Sequence, residues 1–300
     1  MEMDSVSTTL CIDPAFEVQY NLRVRHPERT AIYRDYASRS ARTRRRPEAK
    51  LDLKYGVKTS SVLDLFVPEG DTAPPLLIFI HGGYWRALDK RGFSFIADAY
   101  LSHGVAVAIP NYALRPSAAL DEIVAEACDS VSWLAGQGRN LGYDDSRIVI
   151  SGHSAGAHMA AWAIDRERMP VLAGKLLGYV GLSGLFDLEP LLSTSINHDL
   201  RLTGQEARKL SLYDDAALFN VPLLFAVGEQ ETQGFRRQSL DFSQFCKQNG
   251  HGVENMVVPR RNHFNLLADF IASDTANSLF DKTLAMFQIW ADRPNLPGEA

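Results

Sequence analysis

Residues 147–164 read RIVISGHSAGAHMAAWAI. The first part is a short apolar run of β-branched residues, and the last part is an alanine-rich stretch with helical character. Between them stands Gly152-His153-Ser154-Ala155-Gly156, which fits G-x-S-x-G. Alone, this five-residue pattern is common by chance. Its setting makes it specific, because a strand runs into it and a helix runs out of it. The turn puts the serine on a sharp bend with crowded backbone, and small residues at 152, 155 and 156 let strand and helix approach. The helix N-terminus also favours negative charge at this point. Ser154 is therefore the candidate nucleophile.

Outward from this stretch the same rhythm recurs. Upstream, residues 62–67 (VLDLFV) alternate apolar side chains around Asp64, and 76–80 (LLIFI) are wholly apolar. Runs of that kind fit strands covered on both faces. A helical stretch over 89–102 leads to the apolar run 105–109, and a helix over 120–136 leads to 147–150. Downstream, strands are expected at 179–182, 221–227 and 255–258, with helices near 235–249 and over 278–290. Alternating strands and helices predict an α/β fold with a mostly parallel central sheet and helices on both faces. No internal repeat or linker interrupts it, so one domain over 1–300 is expected. It carries a polar N-terminal helical extension, 1–50, whose role is either to cover the site mouth or to pack on the sheet. The irregular stretch 186–212 is predicted to be a small cap-like insertion over the C-terminal edge of the sheet, where ligands of open α/β sheets bind. Asp187 and Asn197 lie in it without an assigned role.

The 300 residues are 46% hydrophobic and 22% charged, an ordinary globular balance. A formal net charge of -5 gives no pull toward nucleic acid. The run Arg42, Arg44, Arg45, Arg46 reads as a solvated face or loop. The three cysteines, Cys11, Cys128 and Cys246, are far apart and form no CxxC pair. That argues against a disulfide framework or zinc site and for free thiols in a reducing compartment. The acidic N-terminus is unlike a signal peptide, and no apolar run is long enough for a membrane span. A soluble, cytoplasmic protein acting on a small molecule is expected. The sheet edges and the N-terminal segment each leave a homodimer open.

A serine nucleophile needs oxyanion donors, a base and an orienting carboxylate. His81-Gly82-Gly83 ends the 76–80 strand, roughly seventy residues before the serine. Its glycines let backbone N–H groups face a ligand. Gly82, Gly83 and Ala155 are the candidate oxyanion donors, each worth about 2.7–4 kcal/mol of barrier. Of eight histidines, His263 alone follows the last predicted strand in a short loop, RRNHF, so it is the candidate base. The acid should follow the strand at 221–227. Glu231 stands three residues after Gly228, a spacing common in this type of fold, and is preferred to Glu229.

HGGYWRALDK (81–90), GHSAG (152–156), SGLFDLEPL (183–191) and PRRNHF (259–264) together resemble the kynurenine formamidase (arylformamidase) family. This family belongs to the hormone-sensitive-lipase-like branch of the α/β-hydrolases, whose NY-x-L-x-P turn is similar to NYALRP at 111–116. The likeness runs from about residue 20 to about residue 269. It implies an α/β-hydrolase fold and hydrolysis of N-formyl-L-kynurenine to kynurenine and formate in tryptophan breakdown. It also implies a triad of Ser154, Glu231 and His263 without metal or cofactor. Tyr84 and Trp85 would face the acyl pocket or the aryl group, or else pack beneath the elbow. His153 is placed with them beside the substrate, or shapes the elbow loop. The same machinery would serve a carboxylesterase or amidase acting on another small acyl substrate. A non-catalytic binding module of this fold is the remaining alternative.

Overall fold

The computed structural model describes residues 12–70, 73–213, 217–272 and 277–288. Cys11 and the end of the last expected helix, 289–290, lie outside them. Eight strands form one sheet among the described residues: β1 (Ala49–Lys54), β2 (Val62–Phe66), β3 (Pro75–Ile80), β4 (Ala106–Pro110), β5 (Asp144–His153), β6 (Leu176–Leu182), β7 (Leu223–Gly228) and β8 (Val253–Val258). Their order is β1-β2-β4-β3-β5-β6-β7-β8. The pairs β1/β2 and β2/β4 are antiparallel, and all pairs from β4 onward are parallel. The expected mostly parallel sheet is present.

The apolar run of β3 shows why the sheet is covered twice. Leu76, Ile78 and Ile80 enter one core, Leu77 and Phe79 the other, and all five are fully buried. Helices Leu120–Leu134, Ala155–Trp162 and Gln233–Gln248 pack on the first face. Ile96–Leu101 and Leu279–Gln288 pack on the second. The chain leaves β3 for β4 on one side and then crosses to β5 on the other. The loops after β3 and β5 therefore open together at the point where strand order reverses, the crevice that open α/β sheets offer to ligands.

Three expectations are corrected. The strand β1 was not foreseen, because AKLDLK has no apolar run; it is an edge strand with alternating half-buried and exposed residues. The helix expected over 89–102 breaks into a 3₁₀ turn, Lys90–Gly92, and the helix Ile96–Leu101. There Asp89 caps the Arg91 N–H, and Lys90 is drawn inward instead of facing water: its Nζ donates to Asp52 and Asp64, 2.6 Å from each. Arg44 likewise does not lie on a solvated face. It pairs with Asp64, a carboxylate with no exposed surface, and so belongs to the same buried cluster. Asp64 can stay charged there only because two cations and the Asp52 N–H surround it.

The stretch 186–212 holds a 3₁₀ turn at Glu189–Ser193 and short helices at Asn197–Leu200 and Gly204–Leu210. The N-terminal segment forms helices at Pro14–Tyr20, Leu22–Arg25 and Arg29–Thr43. Glu17 clasps Ser195 through its N–H (2.7 Å) and hydroxyl (2.6 Å), so the two segments meet over the sheet's C-terminal edge. No helix among the described residues is long and apolar enough to cross a membrane.

Candidate active site

Ser154 sits between β5 and the helix Ala155–Trp162 with φ 57° and ψ −123°, and is 2% exposed. That conformation is strained for a residue with a side chain, and its neighbours enforce it. A Cβ on Gly152 would overlap the Gly156 carbonyl, and one on Gly156 would overlap the Ile80 carbonyl. The Ser154 N–H donates to the Leu182 carbonyl at 2.8 Å, which ties the bend to β6. Ala155 opens the helix, where the first N–H groups have no intrahelical partner.

The 81–83 loop runs directly beside this bend. A Cβ on Gly82 would come 2.7 Å from the His153 carbonyl and 3.0 Å from Ser154 Cβ, so glycine is required there. Gly83, Tyr84 and Trp85 all have positive φ, at 121°, 51° and 52°. Two such non-glycine residues in succession store strain of order 1–3 kcal/mol each. The 111–116 turn holds them in place, a role its sequence did not reveal. The Tyr112 hydroxyl donates to the His81 carbonyl (2.8 Å), and the Trp85 carbonyl accepts from the Arg115 N–H (2.7 Å). The His81 ring stacks on Tyr112 at 4.4 Å. Burial pushes its pKa down, in keeping with a neutral, structural ring.

His263 and Glu231 meet as the chain order requires. His263 Nδ1 lies 2.8 Å from Glu231 Oε2, and both side chains are buried. Oε1 of Glu231 accepts from the Ser183 hydroxyl (2.5 Å) and the Gly228 N–H (2.8 Å). Three donors thus surround a carboxylate without exposed surface, which satisfies its charge. Ser183 was missed from sequence; it lies in the SGLFD segment, whose spacing carries no sign of this role. Glu229 turns away, and its Oε2 accepts from the Arg260 N–H at 2.9 Å.

The loop carrying His263 is strapped from several sides. Asn262 accepts from the Phe264 N–H (2.9 Å) and donates to Glu28 (3.0 Å). The Tyr36 hydroxyl donates to the Phe264 carbonyl at 2.8 Å. Both Glu28 and Tyr36 belong to the N-terminal segment.

Ser154 and His263 open onto one cavity of about 240 Å³, walled by Tyr20, Tyr33, Tyr84 and Phe264 among others. The N-terminal segment lines this cavity through residues 20–23, Arg29 and Tyr33, and also packs on the sheet's cores through Tyr20, Leu22 and Tyr36, so it takes part in both of its expected roles. Tyr84 lines the cavity and donates its hydroxyl to the Tyr20 carbonyl at 2.7 Å. Trp85 does not line it. Its ring is fully buried, edge-on to His158 at 5.1 Å, so it packs beneath the elbow. His153 borders the cavity, but its Nε2 is committed to the His263 carbonyl at 2.9 Å. It therefore holds the loop that carries His263 from a place on the cavity wall. Asn197 accepts from the Leu202 N–H at 2.7 Å, and neither it nor Asp187 lines the cavity. Among the described residues no group of three or more His, Cys, Asp or Glu is placed to hold a metal ion.

Residues 63–178 match the family BD-FAE. The kynurenine formamidase of Salmo salar is 30% identical over 241 residues, covering 78% of this chain and 81% of that protein. The chain belongs to the kynurenine formamidase-like α/β-hydrolases. The Danio rerio kynurenine formamidase is 28% identical over the same length of 241 residues. A Silicibacter sp. tm1040 crystal structure, of a protein provisionally called a thioesterase, is 28% identical with a TM-score of 0.80. It covers 91% of this chain and 98% of its own. This kynurenine formamidase-like hydrolase is thus an enzyme of the esterase and amidase type. Its buried serine, imidazole and carboxylate, with glycine-lined backbone beside the serine, are the parts that acyl transfer needs.

Proposed function

We propose that the enzyme is an arylformamidase cleaving N-formyl-L-kynurenine to kynurenine and formate through a formyl-enzyme. The observation that carries this reading is the His263–Glu231 bond of 2.8 Å beside a cavity that Ser154 shares with four aromatic walls. His263 Nε2 takes the Ser154 proton as Oγ bonds to the formyl carbon, and the carbonyl electron pair moves onto oxygen. The N–H groups of Gly82, Gly83 and Ala155 receive that oxyanion. As it collapses the C–N bond breaks, and His263 returns the proton to the departing aromatic amine. Water then repeats the sequence on the formyl ester, releasing formate and restoring Ser154. Glu231 holds the imidazole tautomer and stabilises its cation. The aromatic walls suit an aryl group, and the kynurenine formamidases among the relatives support the substrate.

The test is hydrolysis of N-formyl-L-kynurenine beside p-nitrophenyl acetate, with Ser154→Ala as control. A kcat/KM of roughly 10⁴ M⁻¹s⁻¹ or more for the formamide, lost in the variant, is expected. Turnover of the ester alone would retain the triad and replace the substrate with another small ester or amide.

A further inference from the structure

The cavity beside Ser154 has an uneven charge. Three arginines line it, Arg23, Arg29 and Arg86, and among the described residues no aspartate or glutamate does. A reaction at a neutral formamide or ester carbonyl does not by itself need three cations nearby. Their positions are constrained by the fold. Arg29 Nη1 donates to the carbonyls of Arg23 (2.6 Å) and His26 (3.3 Å), which fixes its head without cancelling its charge. Arg86 donates to the Ile196 carbonyl (3.3 Å) and pairs with Asp199 at 2.5 Å. Glu28, beside the rim, is occupied by the His26 ring (2.8 Å) and Asn262 (3.0 Å). Arg23 is exposed, and its guanidinium has no ion-pair partner among the described residues. Burial is the main cause that pushes the Arg86 pKa down; Asp199 opposes it, and the Arg23 charge adds to it by a smaller amount, so the two cations feel each other. An anion bound between them would relieve that repulsion.

We propose that Arg23, with Arg29 and Arg86 behind it, is a carboxylate-binding subsite at the cavity mouth, selecting aryl substrates that carry an anionic tail. This rests on the arylformamidase reading only in saying which end of the substrate bears the tail. A formyl group adds nothing on the acyl side, so the rest of the substrate must fill the cavity between Ser154, 2% exposed, and the exposed Arg23. The tail of the departing aryl amine then meets the guanidinium groups. Arginine suits the task because its planar fork can take both carboxylate oxygens.

The test uses inhibition of p-nitrophenyl acetate hydrolysis by 4-oxo-4-phenylbutanoate, an aryl ketone with a carboxylate tail, beside neutral butyrophenone. It needs no formamide turnover, so failure of the formylkynurenine assay and failure of this subsite remain distinct. The expected result is a Ki for the acid roughly tenfold below that of the ketone at low salt. Arg23→Gln should raise the acid's Ki by roughly five- to tenfold and leave the ketone's in place, with Arg23→Lys between. Added salt should narrow the gap in the wild type. Equal Ki values for acid and ketone, or a parallel rise of both in Arg23→Gln, would overturn the subsite.

Discussion

His153 Nε2 donates to the backbone carbonyl of His263 at 2.9 Å. The residue before the elbow serine thereby holds the loop that carries the proposed base, and the two rings lie 4.7 Å apart. Burial and the neighbouring His263 push the His153 pKa well below its ordinary range, so the ring is neutral. Its one N–H is the one given to His263, and Nδ1 is left bare.

If that bond sets the position of His263, His153→Phe should lower kcat more than it raises KM. The substitution keeps a ring and removes the donor. A small displacement of a reacting group costs up to about a hundredfold in rate, and the unpaired carbonyl costs about 1–3 kcal/mol of stability. Steady-state kinetics on p-nitrophenyl acetate with thermal unfolding separates the two effects. An unchanged kcat with a lowered Tm would show that the bond serves folding alone.

The two glutamates after β7 should behave differently. Glu231→Gln keeps the shape but loses the charge beside His263, and should lower kcat by about four orders of magnitude, the scale known for the corresponding change in a serine protease. Glu229→Gln touches only the Arg260 N–H, on an exposed loop, and should stay within roughly 0.5 kcal/mol of wild type in stability with activity near normal. Rates for the pair, measured side by side, decide the matter; a larger loss from Glu229→Gln would reverse the assignment.

Acid should destabilise the fold through its buried imidazoles. Burial pushes His158 from an ordinary value of 6.5 down to about 4. The folded state therefore holds His158 neutral where the unfolded chain binds a proton. Stability from this group is complete above pH 6.5 and is lost as pH falls from 6.5 toward about 4. The slope across that window is about 1.4 kcal/mol per pH unit for a single such group. His158→Phe loses the bond from Nε2 to the Leu210 carbonyl (2.7 Å) and should be less stable at neutral pH. It should also lose less stability on acidification than the wild type. Denaturant titrations across the window give both slopes, and parallel slopes would remove His158 from the account.

The parts legible in the sequence are those that local chemistry determines. Short apolar runs named the inner strands, because a strand buried on both faces tolerates little else. Gly152, Ser154 and Gly156 marked the elbow, because only minimal side chains let β5, β3 and the following helix approach so closely. Gly82, Gly83 and His263 followed from their places at the ends of strands. What the sequence left open turned on direction and distance in space. Tyr84 and Trp85 are adjacent and both have positive φ, yet one lines the cavity and the other fills the core. Glu229 and Glu231 share one loop, and only the course of that loop aims Glu231 at His263. The edge strand β1 and the inward Lys90 depend on Asp64, a partner found only after the sheet has assembled. The cover of the site was hidden most completely. Tyr36 and Phe264 lie 228 residues apart, and the hydroxyl-to-carbonyl bond that joins them exists only once the chain has closed on itself.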